Sequence, residues 1–453
     1  MSPTKSLFRT IHLWLGLGTG LIIVFVCLTG CVLAFEQELE HAWHRERYFV
    51  PAATTPRLPL AQLAAAVQAA KPKAKISGFK LYADPTRTVE INLAGGEKGG
   101  KGERSGEGRP GPERGPAESR TARAGEAPGA AIQAGEAPGA VVAARPARAG
   151  QPGAGPGKGG PEKGGKGKGE GGGPRLFLNP YTAAITGELN PRDNFFKTVE
   201  MLHRGLVAGP VGKLVMGVSA TIFLFILGTG LVLWWPTARK ALRPRLTVKW
   251  GSSWKRLNHD FHISLGFYAS LFLFIMALTG VGMSFDWVGT GINKLTNSPL
   301  KRPEPPTSAA PAVAGAAPFA ADAVLALARQ QAPDAETYTL QLPKEPTGSI
   351  RVAVLRPGAI TENATDEVYL DQFSGQVIGS QTYAQRPVGQ RIRGLFKPVH
   401  TGAIFGWPSK LLALVIGLLG ATFPITGTIM WLNRRRKSQR QQARPLVAIS
   451  PAG

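Results

Sequence analysis

Apolar and polar positions sort the chain into two kinds of stretch. Four runs are almost unbroken in apolar residues: Leu13–Phe35, Val211–Trp235, Phe261–Phe285 and Leu411–Leu432. Each supplies the ~20 residues that a helix needs to cross a hydrocarbon core, so the pattern predicts four spans. In the two long connections the period changes. "LAQLAAAVQAA" and "ADAVLALARQQ" carry apolar residues at helical spacing. After each comes a segment that alternates around a turn, "ISGFKLYADPTRTVEINL" and "YTLQLPKEPTGSIRVAVL", and then "RLFLNPYTAAITGEL" or "EVYLDQFSGQVIG". Alternating Val, Ile, Leu and Tyr around D-P-T or P-T-G predicts short antiparallel strands. Each long connection is therefore expected to fold as a small α+β unit.

The two halves repeat one plan. H-x-x-L-G stands at His12 and again at His262, and both runs reach L-T-G sixteen residues after the histidine. "LHRGL" around His203 matches "VHTGA" around His400, and from each a lysine follows after ten residues, Lys213 and Lys410. Thr229-Gly230 matches Thr426-Gly427, and a tryptophan follows each histidine by thirty-one, Trp234 and Trp431. Such spacing over long segments marks a tandem duplication of span, outer domain, span.

Charge orients the plan. Lys5 and Arg9 precede the first span. Arg239, Lys240, Arg243, Arg245, Lys249, Lys255 and Arg256 fill the connection between the second and third, and Arg434, Arg435, Arg436 and Lys437 follow the fourth. Basic residues stay on the cytoplasmic side, so both termini are expected inside and the connections at about 36–200 and 286–399 outside. The expected order is a first span to residue 35, an outer domain at 36–200, and an outer-face helix with the second span at 201–235. A basic loop at 236–258, the third span at 259–285 and a second outer domain at 286–399 follow. The last parts are an outer-face helix with the fourth span at 400–432 and a basic tail at 433–453. These clusters account for much of the net charge of +24, and no nucleic-acid motif accompanies it, so membrane lipid and not nucleic acid is the expected surrounding.

Residues from about 95 to 173 are dominated by Gly, Pro, Ala, Lys, Arg and Glu, with "AGEAPGA" at 124–130 and again at 134–140. Such a segment lacks the apolar content to offset ordering entropy and is expected to be a solvated insertion in the first outer domain. Cys27 and Cys31, the two cysteines of the chain, fall in the first span, which excludes a disulfide framework outside. "LTGC" at 28–31 has the form of a lipoprotein cleavage box, but the run is longer than a signal h-region, and a retained anchor is expected. "GLGTG" lies inside a span after no strand and is no dinucleotide loop.

All seven histidines, at 12, 41, 44, 203, 259, 262 and 400, fall near a membrane border. The orientation puts His12 and His262 at one face and His203 and His400 at the other. Neutral imidazole is a good axial ligand for iron, and a helix bundle holds cofactors between facing side chains. The four repeated histidines are therefore candidate ligands of two b-type haems, with Gly16 and Gly266 as residues without bulk beside a flat macrocycle. His259, one turn before His262, and His44, in "EHAWHRERY", are the alternatives. A lone interfacial histidine otherwise caps a helix or meets headgroups, and the glycines also suit tight helix contacts.

The two H-x-x-L-G motifs, "LHRGL", "VHTG", "LFLNPYTAAITGEL" and "VYLDQFSGQVIG" together resemble the PepSY-associated transmembrane helix family. The resemblance covers nearly all of the chain outside the insertion and the extreme termini. It implies a four-helix transmembrane bundle with two small α+β PepSY-like periplasmic domains in a bacterial inner membrane. Better understood members are di-haem reductases of siderophore-bound iron, so it also implies His12, His262, His203 and His400 as axial ligands and a ferric siderophore or other ferric chelate as acceptor. Some relatives carry a flavin or nicotinamide domain that the chain does not; a separate donor, a quinol or a cytoplasmic flavoprotein, is expected. Asn179 stands where the second unit has Asp371. The rival reading is a non-redox scaffold whose PepSY modules bind peptides or inhibit a protease. A cation transporter is disfavoured because the spans lack central carboxylates.

Overall fold

The computed structural model describes residues 3–95, 173–191, 194–301, 303–309 and 318–442. The insertion at about 95–173 lies outside these residues except at its ends. Four helices are long and apolar enough to cross a membrane: span one, Pro3–Ala34; span two, Gly209–Trp234; span three, Trp254–Ser284; and span four, Trp407–Gln442. The helices outrun the apolar stretches that announced them. Span four continues through Arg434–Lys437, because a helical backbone satisfies its own hydrogen bonds whatever its side chains carry. The apolar run marks the lipid-facing part only.

The spans meet through small residues, as helices without a hydrophobic force between them must. An added Cβ on Gly20 of span one would stand 3.1 Å from the Pro424 side chain of span four. One on Gly417 would stand 2.7 Å from the Cys31 sulfur, and one on Gly420 3.0 Å from that of Cys27. Both cysteines are free thiols that fill glycine notches in span four. Leu227, Ala269, Leu273 and Ile416 close the centre between spans two, three and four.

A short helix precedes each of spans two and four: Phe195–Gly205 and Val388–Thr401. The chain then turns a sharp corner. Leu206 and Val207 take positive φ values of 50° and 57° at the first corner, and Gly402 takes 74° at the second. At the first, a Cβ on Gly212 would lie 1.7 Å from the Gly205 carbonyl oxygen, so only glycine admits the approach.

The two α+β units form a single sheet. Its strands are β1 Ile76–Tyr82, β2 Val89–Leu93, β3 Arg175–Leu178, β4 Ile185–Leu189, β5 Thr337–Gln341, β6 Ile350–Leu355, β7 Asp366–Leu370 and β8 Val377–Gln381. They run in the order β4-β3-β2-β1-β5-β6-β7-β8, with every neighbour antiparallel. Sequence alternation predicts two separate units; the sheet is continuous because β1 and β5, each otherwise a bare edge, pair from Gly78↔Gln341 to Tyr82↔Thr337. At the seam a Cβ on Gly78 would meet the Leu340 carbonyl oxygen at 2.3 Å. The helices Leu60–Ala70 and Ala321–Gln331 cover one face, and both contribute to one core with Leu63, Val67, Ile91, Val324, Leu340 and Val352 fully buried.

Asn179 and Asp371 do the same work in the two halves. The Asn179 Oδ1 accepts from Tyr181 N at 2.8 Å, and the Asp371 Oδ1 accepts from Phe373 N at 2.9 Å and Ser374 N at 2.8 Å. Each caps a turn whose fifth residue is left-handed, Ala183 (φ 58°) in one and Gly375 (φ 72°) in the other.

Candidate metal centres

The four repeated histidines meet in two pairs, each taken across the duplication. His12 of span one and His262 of span three have ring centroids 6.4 Å apart with planes at 88°. His203 of the Phe195–Gly205 helix and His400 of the Val388–Thr401 helix lie 6.1 Å apart at 68°. Two imidazoles sharing one metal, with bonds of about 2.0 Å and ring nitrogens about 1.1 Å from their ring centres, have centroids about 6 Å apart. Both pairs have that separation. The His203/His400 pair is carried on the short helices before spans two and four and leans onto spans one and three. Seventeen residues separate His12 from Thr29, which touches His203, and the same number separates His262 from Thr279, which touches His400. At about 1.5 Å per residue the two pairs stand about 25 Å apart along the bundle, most of a hydrocarbon core of about 30 Å.

Every histidine sits in the same kind of seat, a Thr-Gly pair on the neighbouring helix of its own repeat. His12 Nδ1 meets Thr229 Oγ1 at 3.0 Å and the Ile226 carbonyl at 3.1 Å, while its Cε1 lies 3.3 Å from where a Cβ on Gly230 would be. His203 Nδ1 meets Thr29 Oγ1 at 3.0 Å, over Gly30 at 3.1 Å. His262 Nδ1 meets Thr426 Oγ1 at 2.8 Å, over Gly427 at 3.3 Å. His400 Nδ1 meets Thr279 Oγ1 at 3.1 Å and the Met276 carbonyl at 2.8 Å, over Gly280 at 3.3 Å.

These contacts settle where the ring protons are. Each threonine hydroxyl donates back into its own helix: Thr229 to Ile226 O, Thr29 to Phe25 O, Thr426 to Thr422 O and Thr279 to Ile275 O. Each ring also hydrogen-bonds a backbone carbonyl, Ile226 for His12, Val26 for His203, Phe423 for His262 and Met276 for His400, and a carbonyl can only accept. All four rings must carry their proton on Nδ1, which leaves the Nε2 lone pair free, the tautomer that a metal needs. Burial, with His400 beside it, pushes His203 down to about 4, and burial also lowers His400. Both are neutral at ordinary pH.

The other candidates fall elsewhere. His259 is 52% exposed and turns to Asp260 Oδ1 at 3.3 Å; a π-helical turn at Phe261–Leu265 sets His262, not His259, toward His12. His44, 41% exposed, lies 3.8 Å from Glu46, and His41 packs on Tyr48 and Phe49. An added Cβ on Gly16 would meet nothing within 4 Å, and one on Gly266 would touch only the Phe423 ring at 3.8 Å. The glycines in contact with histidine are instead Gly30, Gly230, Gly280 and Gly427. The sequence marks these positions only through the repeat, which matches Thr29-Gly30 with Thr279-Gly280 and Thr229-Gly230 with Thr426-Gly427. Among the described residues no three His, Cys, Asp or Glu side chains form a metal cluster, so any metal between two of these imidazoles takes its remaining donors from a ligand.

A polar cleft of about 840 Å³ lies on the sheet face opposite the helices and is lined in part by Gln37, just past span one. Two buried carboxylates anchor it. Glu90 accepts from Arg175 at 3.2 Å and from the Tyr82 hydroxyl; Glu367 accepts from Arg351, from Arg386 at 3.1 Å and from Tyr369 at 2.6 Å. Burial and Glu90 together raise the Tyr82 hydroxyl far above its usual value.

The matched family agrees with this architecture. The model of the PepSY-associated TM region matches residues 9–434, both repeats entire. The chain belongs to that family, a multi-pass membrane protein associated with PepSY domains. Among curated proteins none matches it.

Proposed function

We propose that the chain is a transmembrane electron conduit of the bacterial inner membrane that reduces a ferric chelate, of the siderophore type or another, on the sheet side. His12 with His262, and His203 with His400, each hold one b-type haem through Nε2. The observation that carries this reading is the double pairing across repeats, with all four Nδ1 protons fixed by Thr-Gly seats. A haem held by two imidazoles supplies reversible one-electron chemistry at its iron. The threonines fix tautomer and ring plane, the seat glycines let the rings lie against the helices, and the apolar spans exclude water. Basic residues at the His12 end support a cytoplasmic position for that end, where a separate donor, a quinol or a flavoprotein, delivers electrons. The chelate binds in the polar cleft. Its Fe(III) takes one electron and, as Fe(II), is held less tightly by hard oxygen donors, which frees it for uptake.

Purified protein should contain two haems per polypeptide with a b-type reduced spectrum, and His203→Ala should lose one of them. Dithionite-reduced protein should reoxidise on mixing with a ferric siderophore. Haem-free wild-type protein would leave the scaffold reading in possession; haem without reoxidation would remove this acceptor alone.

A further inference from the structure

Trp234 ends span two with a polar atom that has no use inside the protein. The side chain is 6% exposed, and its Nε1 is buried with no hydrogen-bond partner. The indole is not free to turn: it stacks on Phe267 of span three at 3.7 Å between centroids and 11° between planes. Its main chain is fixed too, since Arg245 donates to the Leu233 carbonyl at 3.1 Å and to that of Trp234, and Lys5 Nζ to Trp235 O at 2.8 Å. Leaving a buried N–H unpaired costs about 1–3 kcal/mol, and such groups are rare in native structures.

The position of the residue says what the missing acceptor belongs to. Ile226, Thr229 and Gly230 form the stripe of span two in contact with His12. Trp234, four residues on, continues that stripe by one turn. Phe267 lies five residues past His262. The repeat places Trp431 four residues past Gly427, the seat of His262, with the Arg435 guanidinium 5.7 Å over its ring. At the sheet end the equivalent positions, four past Gly30 and Gly280, hold Ala34 and Ser284. Indoles flank one pair only, and cations surround them.

We infer that Trp234 Nε1–H donates a hydrogen bond to an anionic oxygen on the rim of the cofactor held by His12 and His262, a haem carboxylate. This rests on the haem reading of that pair. A lipid phosphate offers the same oxygen chemistry, but the residue lies on the inner stripe of the bundle, away from lipid.

Trp234→Phe keeps the stack on Phe267 and removes the N–H; Trp235→Phe, at an exposed indole, is the control. Both are made in the full chain and, to isolate one signal, in His203→Ala protein. Redox titration of purified holo-protein should show Trp234→Phe lowering the midpoint potential of the His12/His262 haem, because a hydrogen bond no longer offsets its carboxylate charge. Its haem should pass to excess apomyoglobin about tenfold faster, as for one lost charge-assisted bond, and the carboxylate-sensitive Raman bands should move. The His203/His400 haem and Trp235→Phe should be unchanged. Haem present with potential and Raman bands unaltered in Trp234→Phe overturns the inference and leaves the conduit intact. An effect abolished by delipidation assigns the bond to phospholipid and overturns it equally. Wild-type protein without haem overturns both.

Discussion

Thr29→Val separates a histidine's seat from its ligand role. His203 Nδ1 lies 3.0 Å from Thr29 Oγ1 and also hydrogen-bonds the Val26 carbonyl, just as His400, facing it, has the Met276 carbonyl at 2.8 Å besides Thr279. Valine matches threonine in shape and removes the acceptor. In Thr29→Val the Val26 carbonyl still holds the His203 proton on Nδ1, so one of two partners is lost, a cost of about 1 kcal/mol, or roughly fivefold in retention of whatever the pair binds. In Thr279→Val the Met276 carbonyl does the same for His400, and the loss should be of similar size, about fivefold. The other pair is built alike: His262 has the Phe423 carbonyl with Thr426, and His12 the Ile226 carbonyl with Thr229. Thr426→Val and Thr229→Val should therefore have similar effects. The assay is the rate of haem transfer from purified protein to excess apomyoglobin, followed optically. A loss of about a hundredfold in any one of the four, or no loss in all four, would refute the argument that a carbonyl and a hydroxyl share the Nδ1 proton at every seat.

Other outcomes follow from the same geometry. His12→Ala and His262→Ala should each remove one haem and the same one, seen as identical reduced difference spectra. Glu367→Gln strips the carboxylate from between Arg351 and Arg386, a site 1% exposed; breaking such a buried group should cost about 3–5 kcal/mol in denaturant unfolding of the full chain. The Ser374 and Phe373 amides hold the Asp371 carboxyl below its usual range. Its stabilisation is therefore complete above the ordinary carboxylate value and is lost as pH falls through the lowered one. Asp371→Asn should abolish that acid-side loss yet still fold, since Asn179 makes the equivalent turn; a variant with an unchanged acid profile would disprove the role.

Much of this architecture was legible from one-dimensional pattern. The four spans, the alternating strands and the repeated histidines all follow from local periodicity, which is a property of short windows. What escaped was pairing between windows. Nothing near "ISGFKLY" tells that β1 will close on β5, some 250 residues later, because an edge strand looks the same whether bare or covered. The repeat already favoured His262 over His259, and the π-turn at Phe261–Leu265 on which His262 stands has no sequence signature. The Thr-Gly pairs were visible as repeat markers, yet their use as seats needs the neighbouring helix beside them. "LTGC" is the sharpest case: the residues that have the form of a processing box also seat His203 through Thr29 and fit the Cys31 thiol against Gly417.

Equivalent elements of the two halves meet at one axis, β1 with β5, His12 with His262 and His203 with His400, while unlike spans meet reciprocally around it, one with four and two with three. Seats, by contrast, stay inside one half. That is the contact logic of a two-fold dimer written on one polypeptide. A gene fragment encoding either half would bring complete cradles but only a single imidazole to each centre, and would have to associate with a twin to finish both. Fusion removes that dependence on concentration. It also frees the halves to diverge, so that one accepts a long inserted segment and the other a π-turn without disturbing the axis between them.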